Sequence, residues 1–583
     1  LYAVSKWGKL KFRFKRLDWR KPHVRNFIVF FGLLTLFLPL SNRSIDYHHQ
    51  GLIFSTALGV SKGLVLYRDI WSQYGPIPTY IQAVFLLVFG SKLLYLQILS
   101  VLISACSGTL AFSIFSKIYG VGSAATAVSI WALSAPFMLW PLHPWPTDFA
   151  LLFFLIAIYL VCQEEKYSHN FLFLVSGFFV GISFWSRINT GVCIFVSTFL
   201  AIGLSLSWRR AQIFLYGFFT CITIGACLLA LSNSLTSFFQ QAIVWPLVWV
   251  GEIKTGLEST DLVAYGLMVP SIFGALFILS AVLINRLRGW FLLAGIGFLV
   301  PGFIVTQYIS NRLQTNEVFW TPINPNWSFP GLTPITALWG FSLIALTRAW
   351  ITFCSSRSFR FEWLKNRNQY DFFLLIASVG FLAGIYPQPD IYHLWWVVLP
   401  SLGPTVGLIS SHIPQKVSRI SLAFAAIIAL LVPAISAVVQ NYERENLVKW
   451  GSGSPLSGML EDRESFNIHE QQFELIKYLQ STKGPLPVLN LCIDGFYFSL
   501  GEKTVLPDPY FFFWGPGANG AFLPDSSITD LRISWIHEHK PILYICNPAI
   551  DVPALMKALN YNVVRQDPNM VYGGNVSIAI SNE

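Results

Sequence analysis

The chain has 583 residues, of which 54% are hydrophobic and 12% charged; ordinary soluble proteins carry roughly 25% charged residues, so a water-soluble globule is excluded. The net charge of +10 is unevenly placed: residues 1–439 hold 29 Lys+Arg against 13 Asp+Glu, and residues 440–583 hold 10 against 16. That division describes a basic membrane body followed by a mildly acidic soluble tail, and it does not call for nucleic acid.

Residues 1–26 form a basic tail, and an apolar run follows at 27–40. No small-x-small cleavage pattern comes after Leu40, so the run reads as a retained anchor rather than a signal peptide. Further apolar runs lie at 92–118, 121–140, 148–162, 170–184, 190–207, 211–231, 262–284, 289–309, 331–353, 371–386, 391–411 and 420–439. Together they predict an all-α polytopic membrane protein of about 13 helices over residues 27–439. Lys and Arg then decide the sides. With residues 1–26 inside, that tail and every second connection hold 22 Lys+Arg, whereas the opposite connections hold six: Arg43, Lys62, Arg68, Arg187, Lys254 and Arg312. The positive-inside rule therefore sets the N-terminus in the cytoplasm and puts the first exterior loop, 41–91, and the C-terminal segment, 440–583, outside.

The C-terminal segment alternates two patterns. IHEQQFELIKYLQS, SITDLRISWIHEHK and VPALMKALN read as helices, and PVLNLCI, PILYICN and NVSIAI as strands. An extracytoplasmic α/β domain is expected, joined through a flexible linker, GSGSPLSG at 451–458. It has no glycine-rich phosphate loop. Its aromatic run, PDPYFFFWGPG, suits sugar stacking, the headgroup layer or a plain core contact. Cys492 and Cys546 lie in the strand patterns, as a disulfide or as buried free thiols.

Ion conduction through the spans would need ionisable side chains near several helix centres, and they are scarce there. Polar groups collect instead in the outer loops, most densely in SIDYHHQGLIFSTALGVSKGLVLYRDIWSQYGPIPTYIQAVFLLVFG, residues 44–90. An acidic residue soon after the first span, a histidine pair with glycine, G-x-x-x-Y-R-D, and Q-Y-G-P before a second apolar stretch closed by F-G resemble the first exterior loop of the GT-C superfamily. These are integral-membrane glycosyltransferases using polyprenyl-phosphate sugars, among them the protein mannosyltransferases and the aminoarabinose transferases of lipid A. Many of them carry Asp-Glu where this chain has Asp46-Tyr47.

The resemblance implies a polyprenyl-phosphate-linked sugar donor, a lipid, glycan or protein acceptor, and a bacterial plasma membrane. It also makes Asp46 the expected catalytic carboxylate. Transfer from such a donor needs a base for the attacking hydroxyl and cations for the departing phosphate. Asp46 suits the first task, its bland alternative being a helix cap. Asp69, after Arg68 and ahead of the turn at Tyr74, is a second catalytic candidate or a local cap and ion pair, and Arg68 and Tyr74 are candidates for binding substrate. His48 and His49 are candidates for substrate, with one of the two facing the site. Asp46 and His48 have a D-x-H spacing suited to a divalent ion, but without a second acidic cluster hydrogen bonding to phosphate or sugar is the more economical reading, and no cofactor is called for.

The other outer ends add His143 and Asp148 in PLHPWPTD, Arg187 in WSRINTG, and Asp390 and His393 in YPQPDIYHLWW. Arg187 suits a phosphate, the alternative being snorkelling to the headgroups. Asp390 and His393 are three apart and neighbours if helical. The expected activity is inverting sugar transfer at the outer face. The apolar stretches on either side of Tyr67-Arg68-Asp69 are expected as interfacial helices narrowing the lipid entrance. The competing classes are a glycan polymerase or ligase and a lipid-linked sugar flippase.

Overall fold

A computed structural model describes residues 21–42, 45, 49–138, 144–163, 170–244, 246–247, 369–382, 391–412, 447–452, 454–484, 486–491, 536–545, 552–568 and 575–582. Among these, nine of the expected spans appear as helices: α1 (Pro22–Phe37, extended by a 3-10 turn Leu38–Leu40), α4 (Leu93–Tyr119), α5 (Val121–Met138), α6 (Pro146–Cys162), α7 (Asn170–Ser186), α8 (Ile188–Ser205), α9 (Trp208–Leu231), α11 (Gln369–Leu382) and α12 (Ile391–His412). Pro22–Leu40, Leu93–Tyr119, Ile188–Ser205 and Trp208–Leu231 are long and apolar enough to cross a membrane. The spans expected at 262–284, 289–309, 331–353 and 420–439 lie outside the described residues. α1 and α6 begin earlier than their apolar runs because each opens on proline. Proline at that position supplies a preset φ and gives up an N–H the helix does not use.

The loop of residues 41–91 holds α2 (His49–Ser61) and α3 (Pro76–Phe89), the two expected helices, but they differ in character. α2 is buried from Gln50 to Gly59, so it is a packed element rather than an interfacial one. Its residues explain this: GLIFSTALGV has no charged face to leave in water, and the Thr56 hydroxyl donates to its own helix at Leu52 O, 2.7 Å. α3 buries Thr79 and Gln82 and exposes Val84, Leu87 and Val88, the arrangement of a helix whose apolar side meets lipid.

Small residues bring α7 and α9 into backbone contact. A Cβ on Gly177 would stand 1.9 Å from Phe214 O, and one on Gly217 1.8 Å from Leu174 O. Glycine at both positions is required by that approach, which in a bundle of apolar helices supplies packing that the hydrophobic effect does not. α5 and α12 are joined by Trp131 and Trp395, stacked at 4.5 Å. Each indole N–H donates to the other's carbonyl, at 3.2 and 3.0 Å, so two buried polar groups are satisfied reciprocally.

The two ends of the bundle are distinct. At one end the Lys117 ammonium donates to Cys162 O and lies over the Tyr370 ring, while the Tyr119 hydroxyl donates to Asp371 Oδ1 at 2.6 Å. At the other, Leu460 N donates to Asn42 O at 2.7 Å and Leu93 N to Pro455 O at 3.0 Å. Those bonds tie the C-terminal segment to the end of the bundle that carries the 41–91 loop.

The described C-terminal residues form β1 (Leu447–Lys449), β2 (Leu460–Asp462), α13 (Arg463–Lys483), β3 (Val488–Leu491), β4 (Ile542–Ile545), α14 (Val552–Leu559), β5 (Tyr561–Pro568) and β6 (Asn575–Ser581). β1 and β2 pair antiparallel, and the remaining strands make a mixed sheet in the order β3-β4-β6-β5. Two readings are corrected. The stretch 451–458 is the loop of the β1–β2 hairpin, not a free linker. It is held by Gly458 N to Trp450 O at 3.1 Å, and across the strands Trp450 Nε1 donates to the buried Glu461 carboxylate at 2.9 Å. β5 was not expected, because YNVVRQDP has a register shift between Val563 and Arg565 that breaks its alternation. Of the helix expected over 527–540, the described part is 536–539. The aromatic run 507–517, Cys492 and Cys546 lie outside the described residues.

Candidate active site

The turn between α2 and α3 is folded by its own polar groups. Asp69 N donates to Val65 O at 2.8 Å, and Val65 N donates back to Asp69 Oδ2 at 2.9 Å. Arg68 Nε and Nη2 donate to the two oxygens of Asp69, at 3.1 and 2.8 Å. The hydrogen bond to Asp69 raises the Arg68 pKa, but the guanidinium is exposed and such a pair contributes little stability. These contacts make Asp69 a local cap and the ion-pair partner of Arg68.

Tyr67 occupies the centre of this turn with φ at +67°, an unusual conformation for a bulky residue. Its hydroxyl donates to Tyr74 O at 2.5 Å, and its ring meets Phe238 edge-on at 5.2 Å. The chain then reaches Tyr74-Gly75-Pro76. Gly75 caps α3, and a Cβ there would lie 1.9 Å from Trp185 O. Only glycine lets this turn rest on the end of α7, and Pro76 starts the next helix at once. Q-Y-G-P is thus the point at which the 41–91 loop is seated against the turn that carries Arg187.

Arg187 sits between α7 and α8 as the residue capping the second. α7 is registered on α6 by Ser176 Oγ to Ala157 O and Ser183 Oγ to Ala150 O, both 3.0 Å, and one turn further on the Arg187 guanidinium donates to Thr147 Oγ1. Arg187 is 7% exposed, whereas a snorkelling side chain would reach water. Its positive charge acts on the Tyr74 phenol, which is partly covered. Dehydration raises the phenol's pKa well above the ordinary tyrosine value, and Arg187 and the Gln73 hydrogen bond pull it the other way. Tyr74 is therefore a neutral hydrogen-bonding group at physiological pH, not a base.

Aromatic contacts extend the assembly. Tyr74 meets Trp145 edge-on at 5.1 Å, and Trp145 stacks on Trp396 of α12 at 5.7 Å. Gln82 Nε2 donates to Pro144 O at 2.7 Å, fastening α3 to the same segment. Asp148, in the first turn of α6, is 2% exposed and accepts from Ser100 Oγ at 3.4 Å. A narrow, partly open cleft runs alongside, lined among others by Leu52, Thr56, Trp71, Tyr74, Thr79 and Gln82.

Arg68, Asp69, Tyr74, Asp148 and Arg187 are thus described. Tyr74, Asp148 and Arg187 gather around Thr147 and Trp145, while Arg68 and Asp69 belong to the supporting turn. His49 begins α2, and His393 lies on α12 three residues before Trp396. Asp46, His48, His143 and Asp390 lie outside the described residues. Among the described residues, no group of three or more His, Cys, Asp or Glu is placed to hold a metal ion. Thr147 and the steric reason for Gly75 were not visible in the sequence; the short P-T-D and Q-Y-G-P strings carry no sign of what they touch.

Comparison with known proteins now bears on these residues. Residues 73–232 match the family model described as dolichyl-phosphate-mannose-protein mannosyltransferase. This stretch runs from the turn at Tyr74 through Arg187 to the end of α9, and over it the chain is similar to GT-C glycosyltransferases. No curated protein matches. Among solved structures, an oligosaccharyltransferase from Archaeoglobus fulgidus, in complex with Zn and sulfate, aligns at TM-score 0.43 and 11% identity over 78% of this chain. The chain spans 55% of that protein's length. ArnT from Cupriavidus metallidurans aligns with undecaprenyl phosphate bound at TM-score 0.42 and in the apo state at 0.43, each at 11% identity over 95% of this chain and 97% of the other.

Proposed function

We propose that this chain is an inverting glycosyltransferase of the GT-C type, which moves a sugar from a polyprenyl-phosphate donor to a hydroxyl on a lipid, glycan or protein at the outer face of the plasma membrane. The observation that carries the reading is the buried Arg187, set beside Tyr74, Thr147 and Trp145 at one end of an apolar bundle. It lies within the stretch that matches a family whose described donor, dolichyl-phosphate mannose, is itself a polyprenyl-phosphate sugar. A guanidinium suits phosphate because its planar donors match two phosphate oxygens.

In the proposed step the acceptor oxygen attacks the anomeric carbon, and the bond from that carbon to the phosphate oxygen breaks. Asp46 takes the hydroxyl proton, and the polyprenyl phosphate leaves with the bonding electron pair. Arg187, with His393, receives the charge that develops on phosphate, which is the main electrostatic demand of the reaction. His48 or His49, with Asp390, orients the sugar, and the stacked Trp145–Trp396 pair supports Tyr74 from behind. His143 and Asp148 complete the polar wall, while Arg68 and Asp69 shape the turn below Tyr74. The exposed apolar side of α3 meets the lipid chain, and the C-terminal α/β domain covers the acceptor side. No cofactor is invoked.

The test is transfer by the full chain reconstituted in vesicles with a polyprenyl-phosphate sugar labelled in the sugar, together with an extract of envelope acceptors. The expected result is label joined to acceptor and an equal amount of free polyprenyl phosphate. Translocation of intact donor across the vesicle without transfer would replace this reading with that of a flippase.

A further inference from the structure

We infer that Gln241 is a positioning residue for the outer site: its carboxamide clamps the Tyr67–Ser72 turn and so sets where Tyr74 stands against Arg187. Gln241 is 2% exposed and lies on the π-helical turn Gln240–Val244, which follows α10 (Leu235–Phe239). Its Oε1 accepts the Ser72 backbone N–H at 3.1 Å, and its Nε2 donates to Tyr67 O at 2.9 Å. One carboxamide thus satisfies a buried donor and a buried acceptor from a loop about 170 residues earlier in the chain.

The residue it holds is the strained one. Tyr67 keeps a positive φ, and its contacts include Phe238, three residues before Gln241, and Tyr74 O, the acceptor of its hydroxyl. An unfavourable backbone conformation persists where its surroundings determine it, and short π-helical turns recur at functional positions. The path from Gln241 to the site is continuous: carboxamide to Tyr67 O, Tyr67 hydroxyl to Tyr74 O, then Gly75 on Trp185 O and the Tyr74 ring on Trp145. Glutamine alone among the uncharged residues has both groups at this reach; asparagine is one methylene shorter. The effect on donor binding rests on the function proposed above, whereas the clamp itself does not.

Two readouts on the full chain in nanodiscs separate these levels. In Gln241→Ala, amide hydrogen exchange over residues 64–75 is expected to rise at least about tenfold while α4 and α9 keep wild-type exchange. Gln241→Asn, which keeps both groups but is one methylene shorter, is expected to fall between. For transfer, the KM for the polyprenyl-phosphate sugar is expected to rise about tenfold in Gln241→Ala with kcat within about twofold, the pattern of lost binding rather than lost chemistry. Unchanged exchange over 64–75, or faster exchange across all helices alike, would overturn the clamp. A loosened turn with an unchanged donor KM would overturn its link to the site. If the wild-type chain transfers no sugar at all, the functional reading fails and the exchange measurement still decides the clamp.

Discussion

Asp46→Asn is expected to lower the turnover of sugar transfer by roughly a hundred- to ten-thousand-fold, the range for losing a positioned general base, with the donor's KM nearly unchanged. The substitution keeps size and shape and removes the charge that accepts the proton, so turnover rather than binding should suffer. Asp46 follows the first span and precedes α2, whose Gln50 is fully buried. A cap would behave differently: asparagine caps helices about as well as aspartate, so the variant would then keep its turnover. Comparing kcat in wild-type and Asp46→Asn membranes distinguishes the two roles of the carboxylate, provided thermal unfolding in detergent is the same for both.

Arg187→Ala is expected to raise the donor's KM and lower kcat together, by roughly a hundred- to thousandfold in kcat/KM, the size of effect seen when a preorganised donor to developing charge is removed. Arg187→Lys should recover part of this, because it restores a point charge and loses the planar pair of donors. The physical ground is the cost of the charge where it stands. A guanidinium 7% exposed at the end of apolar helices carries a dehydration penalty of several kcal/mol. Thr147 Oγ1 accepts one of its hydrogen bonds, and charge-assisted bonds to an anion are stronger than bonds to a neutral hydroxyl. A bound phosphate supplies the opposite charge. The corresponding prediction is that polyprenyl phosphate stabilises the wild-type chain against heat and leaves Arg187→Ala unmoved, since a ligand stabilises only the state that binds it.

The body of the fold was readable because a membrane span is a property of a local run. Twenty apolar residues report themselves, and the described helices coincide with the runs to within a few residues at their ends, where proline or a cap decides. What helices do to one another is not local. Gly177 and Gly217 look like any glycines until Phe214 O and Leu174 O are found against them. α2 was expected at the interface because it is short and lies in a loop. Its burial follows from what surrounds it, and the absence of any charged residue from GLIFSTALGV was the available sign.

The same division holds at the site. Tyr74 and Gly75 stood out as a turn, and Arg187 as a costly charge between two apolar helices, so the sequence carried the residue types. That Gly75 rests on Trp185 O, that Thr147 receives the guanidinium, and that Gln241 reaches back to the first loop are contacts across tens to hundreds of residues. No periodicity encodes them. The hairpin at 447–462 misled for a related reason: Gly and Ser suggested a linker, while the carboxylate of Glu461, shared between the Trp450 indole and His469 Nδ1 at 2.9 and 2.8 Å, fixes the segment.

The account turns on where the donor's phosphate binds, and a structure of the chain with a polyprenyl phosphate would test this most directly. The expected result is a phosphate within hydrogen-bonding distance, about 3 Å, of the Arg187 guanidinium, with Tyr74 and Trp145 beside it and the lipid chain leaving past α3. A phosphate bound at the opposite end, near Lys117, or one that leaves Arg187 bonded only to protein, would contradict it.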